Sequence, residues 1–209
     1  MSQQSRREVD LGIIDQTFPE GLHICHVFND DKERNETLGK FIEKGFEAGE
    51  KVAVLMESIT VDELLGALDD NGVNTDGAEK HFFIRAMDVY CPDAKFVPDD
   101  MLKRFQMHYE AAMKEGFVGA RAVGDMSWAL STEAETELID LAEYECRLNE
   151  VSCPCTTICS FDARLFDGGT IMDMLSVHPY TIVRGQLVQN PLYVEPNEFL
   201  AELRARVAA

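Results

Sequence analysis

Three short constellations in this sequence carry side chains able to do chemistry. The first is His23-Ile24-Cys25-His26. In an extended segment, alternation sends His23 and Cys25 to one face and His26 to the other. A soft thiolate beside an imidazole suits a transition metal or a polarisable organic ligand. The second is Cys153-Pro154-Cys155, followed by Cys159. It lacks the paired Cys-x2-Cys of zinc ribbons. Three close thiols could still hold one metal together with His23, Cys25 or a non-protein ligand, form a reversible redox disulfide, or simply be buried. The third is a set of polar residues at the ends of apolar runs: Glu57, Asp125-Met-Ser127-Trp128 and Asp162-Ala-Arg164. Trp128, the only tryptophan, could supply an aromatic wall for an apolar ligand or pack against the next helix. Asp162 and Arg164 are placed to pair with each other, or Arg164 to face an anion. His178-Pro179 reads as a turn and Cys91 as structural.

Residues 29–36 read Asn-Asp-Asp-Lys-Glu-Arg-Asn-Glu. They stand between an apolar strand and an amphipathic helix, where nucleotide-binding folds cradle phosphate with bare glycine N–H groups and a lysine. Here no glycine occurs between Gly21 and Gly39, and Asp30 and Asp31 stand where phosphates would lie. Two carboxylates beside a polyphosphate are strongly unfavourable without a metal between them. ATP is therefore not expected as a cofactor, and Asn29 or Asp30 reads as a helix N-cap. The chain has no Gly-x-Ser-x-Gly elbow, no Gly-x-Gly-x-x-Gly loop and no marked nucleophile–base pair.

The elements that must position these residues alternate along the whole chain. Strands are expected over 22–28, 51–56, 81–86, 117–123, 156–161 and 180–183, the last closing the sheet. Helices are expected over 31–48, 61–70, 98–114, 133–149, 170–177 and 197–207. The 31–48 helix carries Leu38, Phe41, Ile42 and Phe46 on one face and stops at Gly49. Residues 51–56 show almost no polar alternation, the mark of a strand buried on both faces of a parallel sheet. Strict β-α alternation predicts a doubly wound, mainly parallel α/β sheet between helical layers. Ligands of such sheets sit at the carboxyl ends of the strands. That places function near 28–31, 57–60, 87–88, 124–128 and 162–164. The expected division is a flexible segment over 1–14, one α/β domain over 15–195, and a helix over 196–209 packing on the domain or on a partner.

A chain of 209 residues with 45% hydrophobic content can bury a full core. No apolar window is long enough to span a membrane, and the first residues lack a signal core, so a cytoplasmic location is expected. Net charge is −19, and the only basic candidates are Arg6-Arg7 and Lys103-Arg104. Direct nucleic-acid contact is therefore not expected. Acidity and a C-terminal helix are compatible with a homodimer. Six cysteines do not imply a disulfide framework in such a chain.

The segment Phe41–Glu50 followed by Val52–Glu57 resembles the helix and second strand of KaiC-type, RecA-like ATPases. A narrower likeness covers residues 15 to 203. His23-Ile-Cys25, Gly45 with Gly49-Glu50, Gly124–Trp128 and Glu143–Asn149 resemble the MEDS domain, as do Cys159–Asp162, His178-Pro179 and Asn190–Tyr193. That is the sensory module of methanogen and methylotroph regulators, named in part for the dichloromethane regulator. The resemblance implies a RecA/KaiC-like three-layer fold without its phosphate-binding loop. It implies a non-catalytic prokaryotic sensor of a small hydrocarbon derivative, a C1 or halogenated or methylated compound. Such a sensor serves signal transduction or transcription through a kinase or transcription regulator, reached here in trans. His23, Cys25, Asp30, Glu57, Asp125, Ser127, Trp128, Cys159, Asp162 and Arg164 are then the candidate ligand-binding residues. In the RecA-like comparison Asp125 takes the place of the magnesium-binding acid and Glu57 that of the water-activating acid. The alternatives are a metal- or thiol-redox sensor, with Cys153, Cys155 and Cys159 as metal ligands, and a degenerate RecA-like nucleotide-binding protein.

Overall fold

Along the run Lys51–Met56, Val52, Val54 and Met56 enter one apolar core while Ala53 and Leu55 enter another. Period-two alternation with both sets buried requires a layer on each side, and the computed structural model, which describes residues 6–75 and 78–207, has that form. In chain order the strands are β1 Glu8–Asp10, β2 Thr17–Pro19, β3 His23–Phe28, β4 Lys51–Met56, β5 Phe82–Arg85, β6 Ala120–Asp125, β7 Thr156–Asp162, β8 Tyr180–Val183 and β9 Gln186–Gln189. The helices are α1 Asp31–Glu47, α2 Val61–Asp70, α3 Ala86–Tyr90, α4 Pro98–Lys114, α5 Leu138–Leu148, α6 Gly168–Val177 and α7 Pro196–Val207. A seven-stranded sheet runs in the order β5-β4-β6-β7-β3-β8-β9, parallel except for its last strand.

One core joins β1, α1 and α2 to the sheet through Val9, Leu11, Leu38, Phe41, Ile42, Leu64 and Leu68. The other lies under α3 to α7 and holds Tyr90, Phe96, Met101, Phe105, Trp128, Tyr144, Phe161 and Met174. From α7, Phe199 and Leu203 are buried in that second core. Among the described residues no helix is long and apolar enough to cross a membrane.

Three expectations differ from the structure. The N-terminal segment expected to be flexible supplies, over its described residues, the strand β1, which pairs antiparallel with β2. Val9 and Leu11 are buried, and Leu11 has no exposure at all. The rest of that expectation, residues 1–5, lies outside the described residues, as do 208–209 of the C-terminal helix. The sheet does not close at β8: Arg184 and Gly185, both at positive φ (48° and 69°), turn the chain back into β9. A two-residue hairpin of type I′ needs positive φ at both positions, and Arg-Gly is not the usual signal for it. The helix expected to start at residue 133 starts at Leu138, where Glu137 N donates to the Asp140 carboxylate at 3.1 Å and Asp140 N to the Glu137 carbonyl at 2.9 Å. The residues before it are held instead by Ala94 and Phe96, which bond to the backbone of Glu135.

A buried ion network ties α1 to the sheet. Arg121 on β6 and Glu50 are both wholly buried and paired, and Arg7 reaches Glu50 from the other side. Arg121 also donates to the carbonyl of Phe41 at 2.6 Å and stacks on its ring at 4.6 Å. Gly45 makes room for it, since a Cβ there would stand 2.7 Å from Arg121 Cδ. Gly49 turns the helix end at φ +72°. The Gly45…Gly49-Glu50 motif is thus explained by packing.

On the same side of the sheet His26 is fully buried; Nδ1 lies 3.4 Å from Ser160 Oγ, and Nε2 has no hydrogen-bond partner among the described residues. Burial, with the cation of Arg34, pushes its imidazole down to about 4. Above the ordinary value near 6.5 both folded and unfolded states hold it neutral. As pH falls below that value the unfolded chain takes a proton that the fold refuses. Stability is therefore expected to drop between about pH 6.5 and pH 4, by up to about 3 kcal/mol from this residue. Urea titrations of the wild type and of His26→Leu at pH 7 and 4.5 test this. The variant should lose distinctly less on acidification, and equal losses refute the assignment.

Candidate functional site

At the carboxyl ends of the strands, the residues expected to form a site are committed to one another. Only Asn29 and Asp30 separate β3 from α1. A phosphate-binding loop needs about eight residues there. Asp30 caps the helix by accepting from Glu33 N at 2.9 Å. Asp31 takes 2.7 Å from Arg164, which also grips Asp162 through Nε and Nη2, at 2.8 and 2.6 Å. Glu57 accepts from Arg85 Nε and Met87 N, both at 2.9 Å. Asp125 accepts five hydrogen bonds: from Glu57 N, Ser58 N and Ser58 Oγ on one oxygen, and from Ser127 N and Ser127 Oγ on the other. A magnesium nucleotide does not fit these residues. The helix N-terminus is already capped by a carboxylate, and each oxygen of both acids already accepts at least one hydrogen bond.

Trp128 does not line an open wall. It has no exposure and stacks on Tyr90 at 4.6 Å between centroids, with Phe96 at 4.7 Å. The expected trio Cys153, Cys155 and Cys159 does not converge either. Cys155 and Cys159 are four residues apart along extended chain, roughly 13 Å. Among the described residues they share no metal-sized group.

The unassigned chemistry lies at the opposite, amino-terminal edge of the sheet. Helices that cross over a parallel sheet return their C-termini to that edge. There the last turn of α5 delivers Glu145 and Asn149, and the end of α6 delivers His178, beside His23 at the start of β3. Glu145 and Asn149 are one helical turn apart and face the same way. Cys159 is the register partner of Cys25, on the face that His23 shares. His23, Glu145, Cys159 and His178 are all buried, and one donor atom from each lies within 4.8 Å of every other.

Proton positions in this cluster follow from its outer bonds. The side-chain nitrogen of Asn149 donates to the carbonyls of Val177, Cys146 and Glu145, at 2.7, 3.1 and 3.4 Å. Its oxygen therefore faces His23 Nδ1 at 3.0 Å, and that nitrogen carries a hydrogen. His178 Nδ1 donates to the carbonyl of Met174 at 2.6 Å. Both Nε2 atoms then turn to one carboxylate oxygen, Glu145 Oε2, at 3.0 Å from His23 and 3.3 Å from His178. The His178 contact lacks hydrogen-bond geometry, and among the described residues the buried Glu145 Oε1 has no hydrogen-bond partner. Cys159 Sγ is 3.4 Å from His23 Nε2.

Burial drives the Glu145 carboxyl up, but His178 and His23 prevail and hold it below the usual carboxylate range. Burial and the nearby His23 push His178 down. Burial and the Glu145 anion push the Cys159 thiol up. The result is a buried anion with incomplete bonding, facing two imidazole nitrogens and a sulfur.

His23 is the link from this cluster to a cavity of about 260 Å³, whose walls include Asn149, Cys153, Cys155, Tyr180 and Tyr193. A second, more apolar cavity of about 430 Å³ lies under α4 against β4 and β6, bounded by Ala53, Leu55, Met101 and Ala122. Sequence reasoning singled out His23, Cys25 and Cys159. It missed Glu145 and read His178 as a turn. The available signal was an acid and an amide one turn apart on a helix face otherwise filled by Leu141, Tyr144 and Leu148.

Residues 22–179 match the family model of MEDS, the MEthanogen/methylotroph, DcmR Sensory domain. Over 104 residues the chain is 30% identical to the transcriptional repressor DcmR of Methylorubrum extorquens. That match covers 48% of this chain and 38% of the relative, so the chain spans well under two thirds of the relative's length. In structure it is similar to the KaiC-like protein PH0186 of Pyrococcus horikoshii OT3, with a TM-score of 0.60 at 19% identity, covering 84% of this chain and 79% of the other. It is also similar to the flagellar accessory protein FlaH of Methanocaldococcus jannaschii, with a TM-score of 0.58 at 11% identity, covering 86% and 83%. At these identities the two structures establish the RecA/KaiC-like fold and nothing more.

Proposed function

Because the chain belongs to the MEDS family of sensory domains, we propose that it binds a small hydrocarbon derivative without turning it over and passes the signal to a regulatory output. The observation that carries this reading is the His23 wall of the amino-edge cavity, with an under-bonded polar cluster directly behind it. A cavity of about 260 Å³ suits a compound of a few heavy atoms. Its imidazole and thiol lining suits a halogenated, methylated or sulfur-bearing one-carbon compound better than a sugar or nucleotide. The absence of catalysis is supported by the commitment of Glu57 and Asp125 to backbone and hydroxyl donors. The strongly acidic chain supports an output through protein contact and not through DNA.

Thermal unfolding with dichloromethane, methanol and methanethiol, each titrated separately, tests the proposal. A binding probe at one hundred times its dissociation constant should stabilise the fold by about 2.7 kcal/mol. His23→Phe, which fills the mouth, should abolish that gain, and ATP with magnesium should give none. Stabilisation that survives His23→Phe but disappears in Met101→Trp would move the site to the cavity under α4. Stabilisation and turnover of ATP would refute the reading.

A further inference from the structure

The geometry points to a transition-metal site formed by His23 Nε2, His178 Nε2, Cys159 Sγ and one oxygen of Glu145. Four observations support it. The four donor atoms already lie within 4.8 Å of one another, with nearest separations of 3.0, 3.3 and 3.4 Å. Ligand atoms around tetrahedral zinc, at about 2.0–2.3 Å from the metal, stand roughly 3.3–3.8 Å apart, so small side-chain shifts complete the shell. Each imidazole has its Nδ1 hydrogen tied to an outer acceptor, Asn149 Oδ1 or the Met174 carbonyl. That is the outer bonding by which metal-bound histidines are oriented, and it turns both Nε2 atoms inward.

A purely protein-internal arrangement leaves defects that a cation removes. Among the described residues, His178 Nε2 faces the carboxylate without a hydrogen bond, and the second carboxylate oxygen has no hydrogen-bond partner in the interior. Such groups are costly to bury unpaired. With a divalent ion, a thiolate, a carboxylate and two neutral imidazoles sum to zero charge. On binding, the Cys159 S–H bond and any Nε2–H bond to Glu145 break, the protons leave to solvent, and the sulfur and Nε2 lone pairs go to the metal. The set of two nitrogens, one oxygen and one sulfur suits zinc, cobalt or ferrous iron and not the oxygen-seeking calcium or magnesium. The inference does not depend on the small-molecule reading, because metal content is measured without any ligand.

The test uses the untagged full chain, purified without chelator. Elemental analysis should find one zinc or iron per chain, and the metal-free protein should take up one Co²⁺ with a near-ultraviolet thiolate-to-cobalt band. X-ray absorption on the wild-type zinc form should show one sulfur and three nitrogen or oxygen neighbours. This readout needs no variant that must fold. Cys159→Ser should lose the cobalt band, the Cys153→Ser/Cys155→Ser double variant should keep it, and Asn149→Ala should weaken uptake about 10–100-fold. Two or more sulfurs, a band lost with Cys153 and Cys155 instead, or no bound metal above trace would overturn the site. Stabilisation by a one-carbon probe in a metal-free protein would still uphold the sensory reading, which separates the two failures.

Discussion

Replacing Glu50 by alanine is expected to destabilise the fold by about 3–5 kcal/mol, as removal of one member of a buried ion pair does elsewhere. Arg121 would be left charged, wholly buried and without its carboxylate, keeping only the carbonyls of Phe41 and Asp10 and the Phe41 ring. Its guanidinium cannot escape by losing a proton. Water has no easy route, because Gly45 and the Phe41 ring close the space around the guanidinium. A domain of this size has about 5–15 kcal/mol in total, so the loss is a large fraction of it. Urea unfolding at pH 7 measures it from the midpoint. Replacing both partners, Glu50→Leu with Arg121→Met, should recover much of the loss, since no charge then remains unpaired. A single-variant loss under about 1 kcal/mol would show that the network is solvated in solution.

The second large effect concerns Asp125. Asp125→Ala strands three backbone N–H groups and two hydroxyls that now share its two oxygens. Each buried donor left bare costs about 1–3 kcal/mol. Some of the five lie near the surface and regain water, so a net loss of about 3 kcal/mol is expected. Asp125→Asn should also destabilise, because its amide hydrogens would face donors. This distinguishes a structural tie from a magnesium ligand. A ligand carboxylate could be made neutral with little change in stability while nucleotide binding disappears. Here the expected result is reversed: stability falls, and metal content at the amino edge does not change. Equal urea midpoints for wild type and Asp125→Asn would sink this account.

Both effects arise at motifs that were visible in the sequence as a family signature. Their meaning was not visible. Gly45, Gly49 and Glu50 read as a helix end, and only the fold shows that they house Arg121 from a strand 71 residues beyond Glu50. Gly124–Trp128 read as a ligand-facing strand end. In the structure Asp125 ties two loops together, and Trp128 turns inward to stack on Tyr90.

The alternation of apolar runs determined the α/β class, the parallel sheet and the opposite faces of His23 and His26, because side-chain periodicity is a local property of the chain. The aspartates at positions 30 and 31 likewise marked the loss of the phosphate loop, since cap chemistry and like-charge repulsion act over a few residues. Strand order, the β9 hairpin and the site at the amino edge were decided only by the tertiary structure. His23 meets Glu145 and His178 across 122 and 155 positions of sequence, the first separation closed by a hydrogen bond and the second by a ring contact of 4.0 Å. No local pattern encodes which helix end returns to which strand. That pairing follows from burying two cores on one twisted sheet, and with it came a cluster whose bonding the protein leaves unfinished.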